Sequence, residues 1–495
     1  MLKTTGNIQA KNNKGFFIML GLRDSRLQVS LVTLLAFMLR IYQIGKDSFW
    51  LDETGVASVI FVNSFDEFIF LVRSHVASVP LDYVITWFIG QFTLNEGWLR
   101  LPSAIWGTLT LIVSYDLFCK LTDKRNALIG ILLLALSPLL VKYSQELRFY
   151  SSLIFFYLLS TNLFLVALKS SRARDWTIFT LATIIGGYFH IFVPFSLVNG
   201  VLWLAFSGNK RNKSSIRSFT VSMIFILLGT LSAYYFFAGY NSRVAEPLSK
   251  YESLPNALGT GLGWLPITSS GAWTVYMWGA FCFILEAYGL IYLLHKKAHA
   301  PVSILLYSTI VQAGIVLSLA VIRGYFIVAR HFIFLLPVFL LIGAIGFNAL
   351  VEKISMKALA NCKFPAQIVR SFGVGLLCIA SLAALIPYYQ GNKGMARETA
   401  IFLSQEWEEG EFIFFFPQPY SAVPYKYYLV EVMGHENMLP YMWHADIDTN
   451  IDTIINWSNE RLFLIGSATP EQASRLSMNG FIAMDLQEVW IRPAQ

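Results

Sequence analysis

Charge is what this sequence lacks most. Only 14% of its 495 residues are Asp, Glu, Lys or Arg, against about a quarter in soluble domains, while 56% are hydrophobic. That balance excludes an intrinsically disordered chain and a cytosolic enzyme. Cysteine is scarce too. Cys119, Cys282, Cys362 and Cys378 lie in or beside apolar runs and none shows metal-ligand pairing, which excludes a disulfide-built secreted module and leaves the thiols as packing residues. No internal repeat, low-complexity stretch or basic, aromatic-interleaved stripe stands out, so nucleic acid is not an expected partner. Residues 1–26 are polar and basic without a cleavage-site pattern, and are expected to be retained as a cytoplasmic segment.

What the chain has instead is a series of long apolar runs. A spanning helix needs about 20 mostly apolar residues, and eleven candidates run from Leu27–Ile44 through Leu99–Leu121, Ala127–Leu140, Phe149–Leu168, Trp176–Phe189 and Ile191–Phe206 to His331–Leu350 and Ser371–Tyr389. Leu81–Phe92 is apolar but short. If it does not span, one set of loops collects 21 Lys and Arg while the opposite loops before residue 389 hold nine; if it does, the basic clusters land on both faces. The positive-inside rule favours the first arrangement. Leu81–Phe92 is therefore read as a juxtamembrane or re-entrant helix. The expected fold is a polytopic α-helical membrane protein with roughly eleven spans over residues 27–389, a long first outer loop at 45–98, and an extracytoplasmic C-terminal domain. An integral protein of a bacterial inner membrane or a plasma membrane is the matching location.

The last stretch differs in kind. From residue 389 onward there are 6 basic and 14 acidic side chains, against 31 and 16 before it. Residues 390–495 read as a small soluble α/β domain: a helix over Arg397–Glu408, buried strands at Phe412–Phe416 and Leu462–Ile465, a helix over Pro470–Met478, and a last strand at Val489–Ile491. It carries no nucleophile elbow, phosphate-binding Gly loop or metal-ligand spacing, so a structural or partner-docking role is expected of it.

In this topology the unusual polar residues gather at one membrane face. The first loop opens Lys46-Asp47-Ser48-Phe49-Trp50-Leu51-Asp52-Glu53-Thr54, with Ser48 placed to cap a helix beginning near Phe49. Adjacent helical residues point about 100° apart, so one of Asp52 and Glu53 is expected to face a cavity while the other is held by a structural partner. A second cluster is Tyr143-Ser144-Gln145-Glu146-Leu147-Arg148-Phe149-Tyr150, and a third is Arg323 to His331, including Arg330. Ionisable groups so close to hydrocarbon face a polar interior or snorkel to headgroups. His190 and Arg40, each near the outer end of a span, complete the ring. Glu286 and Asp116 need polar partners and receive no chemical role.

Carboxylates and arginines at the outer face, beside apolar walls, suit transfer of a group from a lipid-phosphate carrier. Arginines hold phosphate and stabilise charge as the sugar–phosphate bond breaks, and a carboxylate takes the proton of an attacking hydroxyl. The run Arg40-Ile41-Tyr42-Gln43 through Ser48-Phe49-Trp50-Leu51-Asp52-Glu53 resembles the first-loop motif of GT-C glycosyltransferases, in the branch of protein O-mannosyltransferases and lipid A aminoarabinose transferases. Arg100-Leu101-Pro102-Ser103-Ala104, Ser137-Pro138 leading to the Tyr143–Tyr150 run, Tyr188-Phe189-His190, and Arg330-His331 before Leu336-Pro337 resemble it in the same order. One departure is Ser78-Val79-Pro80-Leu81-Asp82-Tyr83, where many relatives carry His or Lys before Pro-Pro-Leu.

The resemblance implies a GT-C-like membrane module with two juxtamembrane helices in the first outer loop. It implies Asp52 as catalytic carboxylate with Glu53 beside it, Glu146 as a second acidic position, and Arg148, Tyr150, Arg330, His190 and Arg40 on the substrate side. It implies an inverting transferase taking a sugar from a polyprenyl-phosphate carrier to a lipid, glycan or protein acceptor. No cofactor is required by the sequence; some relatives use a divalent metal and others do not, and none is assigned. The competing class is a polytopic transporter or flippase for a lipid-linked or amphipathic anion, which the arginines and acids also suit. Transporters, however, usually place their sites near the midplane and in duplicated halves.

Overall fold

The computed structural model describes residues 25–74, 80–206, 213–237, 253–265, 273–295, 300–323, 327–361, 366–391, 394–416, 422–444, 460–466, 468–484 and 488–494. The N-terminal residues 1–24, Ser78, Val79, Gly324 to Phe326 and Cys362, which entered the expectations above, lie outside them. The described residues fall into two compact units, one made of residues up to Tyr42, Val72–Asp82 and Leu101–Gly391, the other of Gln43–Leu71, Tyr83–Arg100 and Asn392 onward.

The first unit is a helical membrane body. Among the described residues seven helices are long and apolar enough to span, eight if the bent pair Lys124–Leu136 and Pro138–Ser144 is one crossing. The expected number was eleven. Three of the eleven runs fall outside that count: Ala173–Phe189 holds 17 residues, the run after His190 begins with a 3-10 turn before Ser196–Phe206, and Ser25–Ile41 holds 17 residues counted from the first described residue. The bent pair has a local cause. Asp123 accepts from the N–H groups of Arg125 and Asn126 and starts the first helix, while Ser137, extended at ψ 117, precedes Pro138 and ends it. The axis turns by 58° there.

Small and polar residues hold these helices together, as expected where hydrocarbon cannot drive their association. A Cβ on Gly346 or Gly289 would lie well inside contact distance of the facing backbone, so Leu336–Asn361 and Trp273–His295 touch main chain to main chain. Buried Asn199 joins three helices, donating to Thr161 Oγ1 at 2.8 Å and accepting from Gln312 Nε2 at 2.8 Å. Phe164, Trp176, Phe179 and Phe219 form an aromatic cluster. Phe225, Leu228, Phe283 and Ile379 point outward and are exposed, which suits lipid. The two intramembrane acids have partners: Asp116 pairs with Lys120 and accepts from Asn162, and Glu286 accepts from Trp264 Nε1 at 2.6 Å.

The second unit combines the two ends of the first loop, Gln43–Leu71 and Tyr83–Arg100, with the C-terminal segment. Its sheet contains β1 (Phe412–Phe415), β2 (Met442–His444), β3 (Leu462–Ile465), β4 (Ile482–Ala483) and β5 (Val489–Arg492), in the order β2-β1-β3-β5-β4. β1 runs parallel to β2 and β3, while β5 is antiparallel to β3 and β4. Continuous apolar runs such as Phe412–Phe415 signal strands covered on both faces. Here Phe414, Leu462, Leu464 and Trp490 pack with Leu476 of the helix Pro470–Met478, and Phe415 faces Tyr425 at 5.3 Å. First-loop helices occupy Leu51–Ala57, Phe65–Ser74 and Pro80–Gly90, at 7, 10 and 11 residues all too short to span.

Candidate active site

In the second unit the acidic pair divides. Glu53 is fully buried and takes both Nε and Nη2 of Arg100, at 2.8 and 2.7 Å. The remaining Arg100 donors go to the carbonyls of Ile44 (3.0 Å), Asp47 (2.8 Å) and Ser48 (3.1 Å). Its guanidinium also lies 5.0 Å from the Phe49 ring centroid. Glu53 Oε2 additionally accepts from the Trp50 N–H at 3.4 Å, where the helix Leu51–Ala57 begins. Glu53 thus holds the loop, a structural rather than chemical place. Asp52, one residue earlier, lies on another side of the helix and is only partly buried. Ser48 does not cap this helix, which starts at Leu51; its hydroxyl donates to Glu398 Oε2 at 2.8 Å. Burial works against ionisation of Glu398, but hydrogen bonds from Ser48 and Arg397 prevail and hold it below the usual carboxylate range.

The membrane unit assembles a second cluster around residues 145–150. Gln145 Nε2 donates to the carbonyls of Arg40 (3.0 Å) and Tyr42 (2.7 Å), and its Oε1 accepts from the Tyr388 hydroxyl (2.7 Å). Arg148 N–H donates to Glu146 O at 2.8 Å, and Ser103 Oγ to Arg148 O at 3.1 Å. These bonds pin a turn in which Glu146 is buried and the Arg148 guanidinium lies 4.5 Å from the Phe149 centroid and 5.8 Å from that of Tyr150. Phe149 meets His190 edge-on at 4.8 Å. His190 Nδ1 accepts from the Phe192 N–H at 3.0 Å, which leaves the proton of the neutral ring on Nε2. Burial, reinforced by the charges of His331 and Arg148, pushes its pKa down to about 3. Arg330 and His331 sit in the 3-10 turn Ala329–His331, with Arg330 partly buried.

Two residues depart from expectation. Arg40, placed among the substrate contacts, is buried and donates to the carbonyls of Ala36 (3.1 Å), Ala135 (3.2 Å) and Leu134 (3.3 Å). It satisfies the end of the helix that Pro138 breaks, where carbonyls lack helical partners. Asp82 was noted only as part of a departure from a motif. It is buried in Pro80–Gly90; burial raises its pKa to about 6, against the opposing charge of Arg148. The sequence signal for it is an acid inside an otherwise apolar run. Among the described residues no three His, Cys, Asp or Glu side chains gather as a metal-holding group, and no residue is assigned to a metal.

Residues 78–235 match the family model described as dolichyl-phosphate-mannose-protein mannosyltransferase. No curated protein sequence matches the chain. Among solved structures, ArnT from Cupriavidus metallidurans superposes in its apo state with a TM-score of 0.53 at 11% identity, covering 94% of this chain and 97% of ArnT. The same protein bound to undecaprenyl phosphate gives 0.54 at 11% identity with the same coverage. The archaeal oligosaccharyltransferase AglB from Archaeoglobus fulgidus, in complex with an inhibitory peptide and a dolichol-phosphate, gives 0.51 at 12% identity, covering 91% of this chain and 70% of AglB. The chain is a polytopic helical membrane protein with an ArnT-like fold, and over residues 78–235 it resembles the GT-C mannosyltransferase family in sequence as well.

Proposed function

We propose that this protein is an inverting glycosyltransferase that moves a sugar from a polyprenyl-phosphate carrier to an acceptor hydroxyl at the extracytoplasmic face of its membrane. The observation that carries the reading is the pinned turn at Arg148. A guanidinium fixed on two aromatic rings, at the start of a membrane helix and inside the stretch that matches mannosyltransferases, suits one phosphodiester at the bilayer interface. The fold it shares with ArnT, a protein solved with undecaprenyl phosphate, supports the same donor class.

The residues divide by role. Arg148 and Arg330 hold the carrier phosphate and stabilise the negative charge that it gains as the C1–O bond to phosphate breaks. Asp52 accepts the proton of the acceptor hydroxyl as its oxygen bonds to C1 from the opposite side, so the anomeric configuration inverts and polyprenyl phosphate leaves. Tyr150 and neutral His190 line the donor side, and Glu146 with Asp82 balances the arginine charge. The test is incubation of purified protein in lipid with radiolabelled polyprenyl-phosphate sugars. Release or transfer of labelled sugar is expected, and Arg330→Ala should raise the donor KM before it lowers kcat. Movement of intact lipid-linked sugar across vesicles without bond cleavage would favour a flippase instead.

Asp82 gives this reading a pH dependence. A sugar linked through a phosphodiester keeps one negative charge across the neutral range, so the donor itself does not titrate. As pH rises through about 6, Asp82 ionises and its carboxylate offsets Arg148, so donor binding weakens. Donor KM is expected to rise roughly fivefold between pH 5 and 7.5, and Asp82→Asn, neutral throughout, should flatten that rise. The linked stability runs the same way: an acid with a raised folded pKa lowers stability as pH climbs from its unfolded pKa to its folded one, and Asp82→Asn removes that loss.

A further inference from the structure

The residues that anchor the loop before Asp52 come from the far end of the chain. Tyr428 lies in a π-helical turn, Tyr427–Val432, a rare geometry that recurs at functional sites. Its hydroxyl accepts the Phe49 N–H at 2.7 Å and donates to buried Glu96 at 2.9 Å. Its ring stacks on Phe49 at 6.4 Å, while Tyr427 meets Phe49 and Phe61 edge-on. The helix Ala396–Glu406 supplies the other anchor. Ser48 Oγ donates to Glu398 and accepts from the Arg397 N–H at 3.1 Å, and the Arg397 guanidinium bonds Glu96 (2.8 Å) and the Lys46 carbonyl (3.1 Å).

We infer that the helix Ala396–Glu406 and the turn Tyr427–Val432 are the positioning element of the catalytic carboxylate: Tyr428, Arg397 and Glu398 fix the backbone at Lys46, Ser48 and Phe49, and through it the direction of Asp52. The C-terminal segment is then part of the reaction machinery and not an appended docking module. The inference rests on the reading of Asp52 as the base. The Arg100 fork occupies the carbonyls of residues 44, 47 and 48, whereas the Phe49 N–H and the Ser48 hydroxyl are held by the C-terminal residues. A helix of only 7 residues cannot orient its own first turn by length, so its entry backbone must be fixed from outside.

Tyr428→Phe keeps the ring and removes only the hydroxyl. In the full-length protein it is expected to lower kcat about 10–100-fold at unchanged donor KM, the scale of a reactive group displaced by about 1 Å. Glu398→Ala, at a partly exposed site, should give a smaller loss in the same parameter, and Glu398→Gln, which still accepts from Ser48, should recover most of it. Amide exchange at Phe49, measured on the folded protein, should quicken in Tyr428→Phe. Asp52→Asn is run alongside. If it retains full activity, the base assignment fails. If Asp52→Asn is inactive while Tyr428→Phe and Glu398→Ala keep the parental kcat, the base assignment stands and the positioning role is overturned.

Discussion

Replacing Asp52 with asparagine is expected to lower kcat for sugar transfer by about 10²–10⁴-fold, the range that a positioned general base contributes, with the donor KM unchanged. The amide has the shape of the carboxylate but cannot take a proton from the acceptor hydroxyl at neutral pH. The structure sharpens the choice of residue. Of the adjacent acids, Glu53 has both oxygens on the Arg100 guanidinium and is fully enclosed; a proton placed on it would break an internal ion pair at every turnover. Asp52 lies on another side of the same helix and keeps part of its surface exposed. Single-turnover rates with a labelled donor, compared between the parent and Asp52→Asn in matched lipid, read the chemical step directly. Parental rates from the variant, in protein that elutes as a single species, would remove the base from this residue.

The division of that pair was legible because it depends on a local rule, the 100° between neighbouring helical positions. The tail was legible for a similar reason: short apolar runs such as Leu462–Ile465 and the helix Pro470–Met478 emerge with the expected bounds. Long-range hydrogen bonding was not. Arg40 looked like a substrate contact, yet two of its three acceptors are carbonyls 94 and 95 residues away, and a carbonyl leaves no trace in side-chain sequence. Ser48 looked like a cap, but its acceptor, Glu398, lies 350 residues on. The π-helical turn at Tyr427–Val432 and the strand Met442–His444 likewise follow no strong hydrophobic period. Among the described residues the long apolar helices are fewer than the apolar runs, because such runs continue across turns that the backbone makes at Ser137-Pro138 and after His190.

Arg100→Met, in the helix Glu96–Leu121 that closes the first loop, is expected to be strongly destabilising, by about 3–5 kcal/mol, the cost of leaving one half of a buried ion pair without its partner. Exposure of the two side chains is 1% and 0%, so water cannot take over the role. The guanidinium also gives all five of its N–H groups to defined acceptors, two to Glu53 and three to loop carbonyls. Arg100→Lys should therefore rescue only part of the loss, because an ammonium supplies charge without the planar fork. Glu53→Gln should cost less than Arg100→Met, since its amide oxygen still accepts from the fork and the three carbonyls remain held. The informative variant is the double substitution Glu53→Met with Arg100→Met. Hydrophobic replacement of a buried pair is often neutral or better, but here the carbonyls of Ile44, Asp47 and Ser48 would stay without donors. The double variant is expected to regain the charge penalty and to keep a residual deficit of about 1–3 kcal/mol in all for the carbonyls left dry. Thermal unfolding of the four proteins in the same detergent separates the two contributions. Full recovery in the double variant would mean that Arg100 serves only to neutralise Glu53, and that the loop carrying Asp52 keeps its shape without those three bonds.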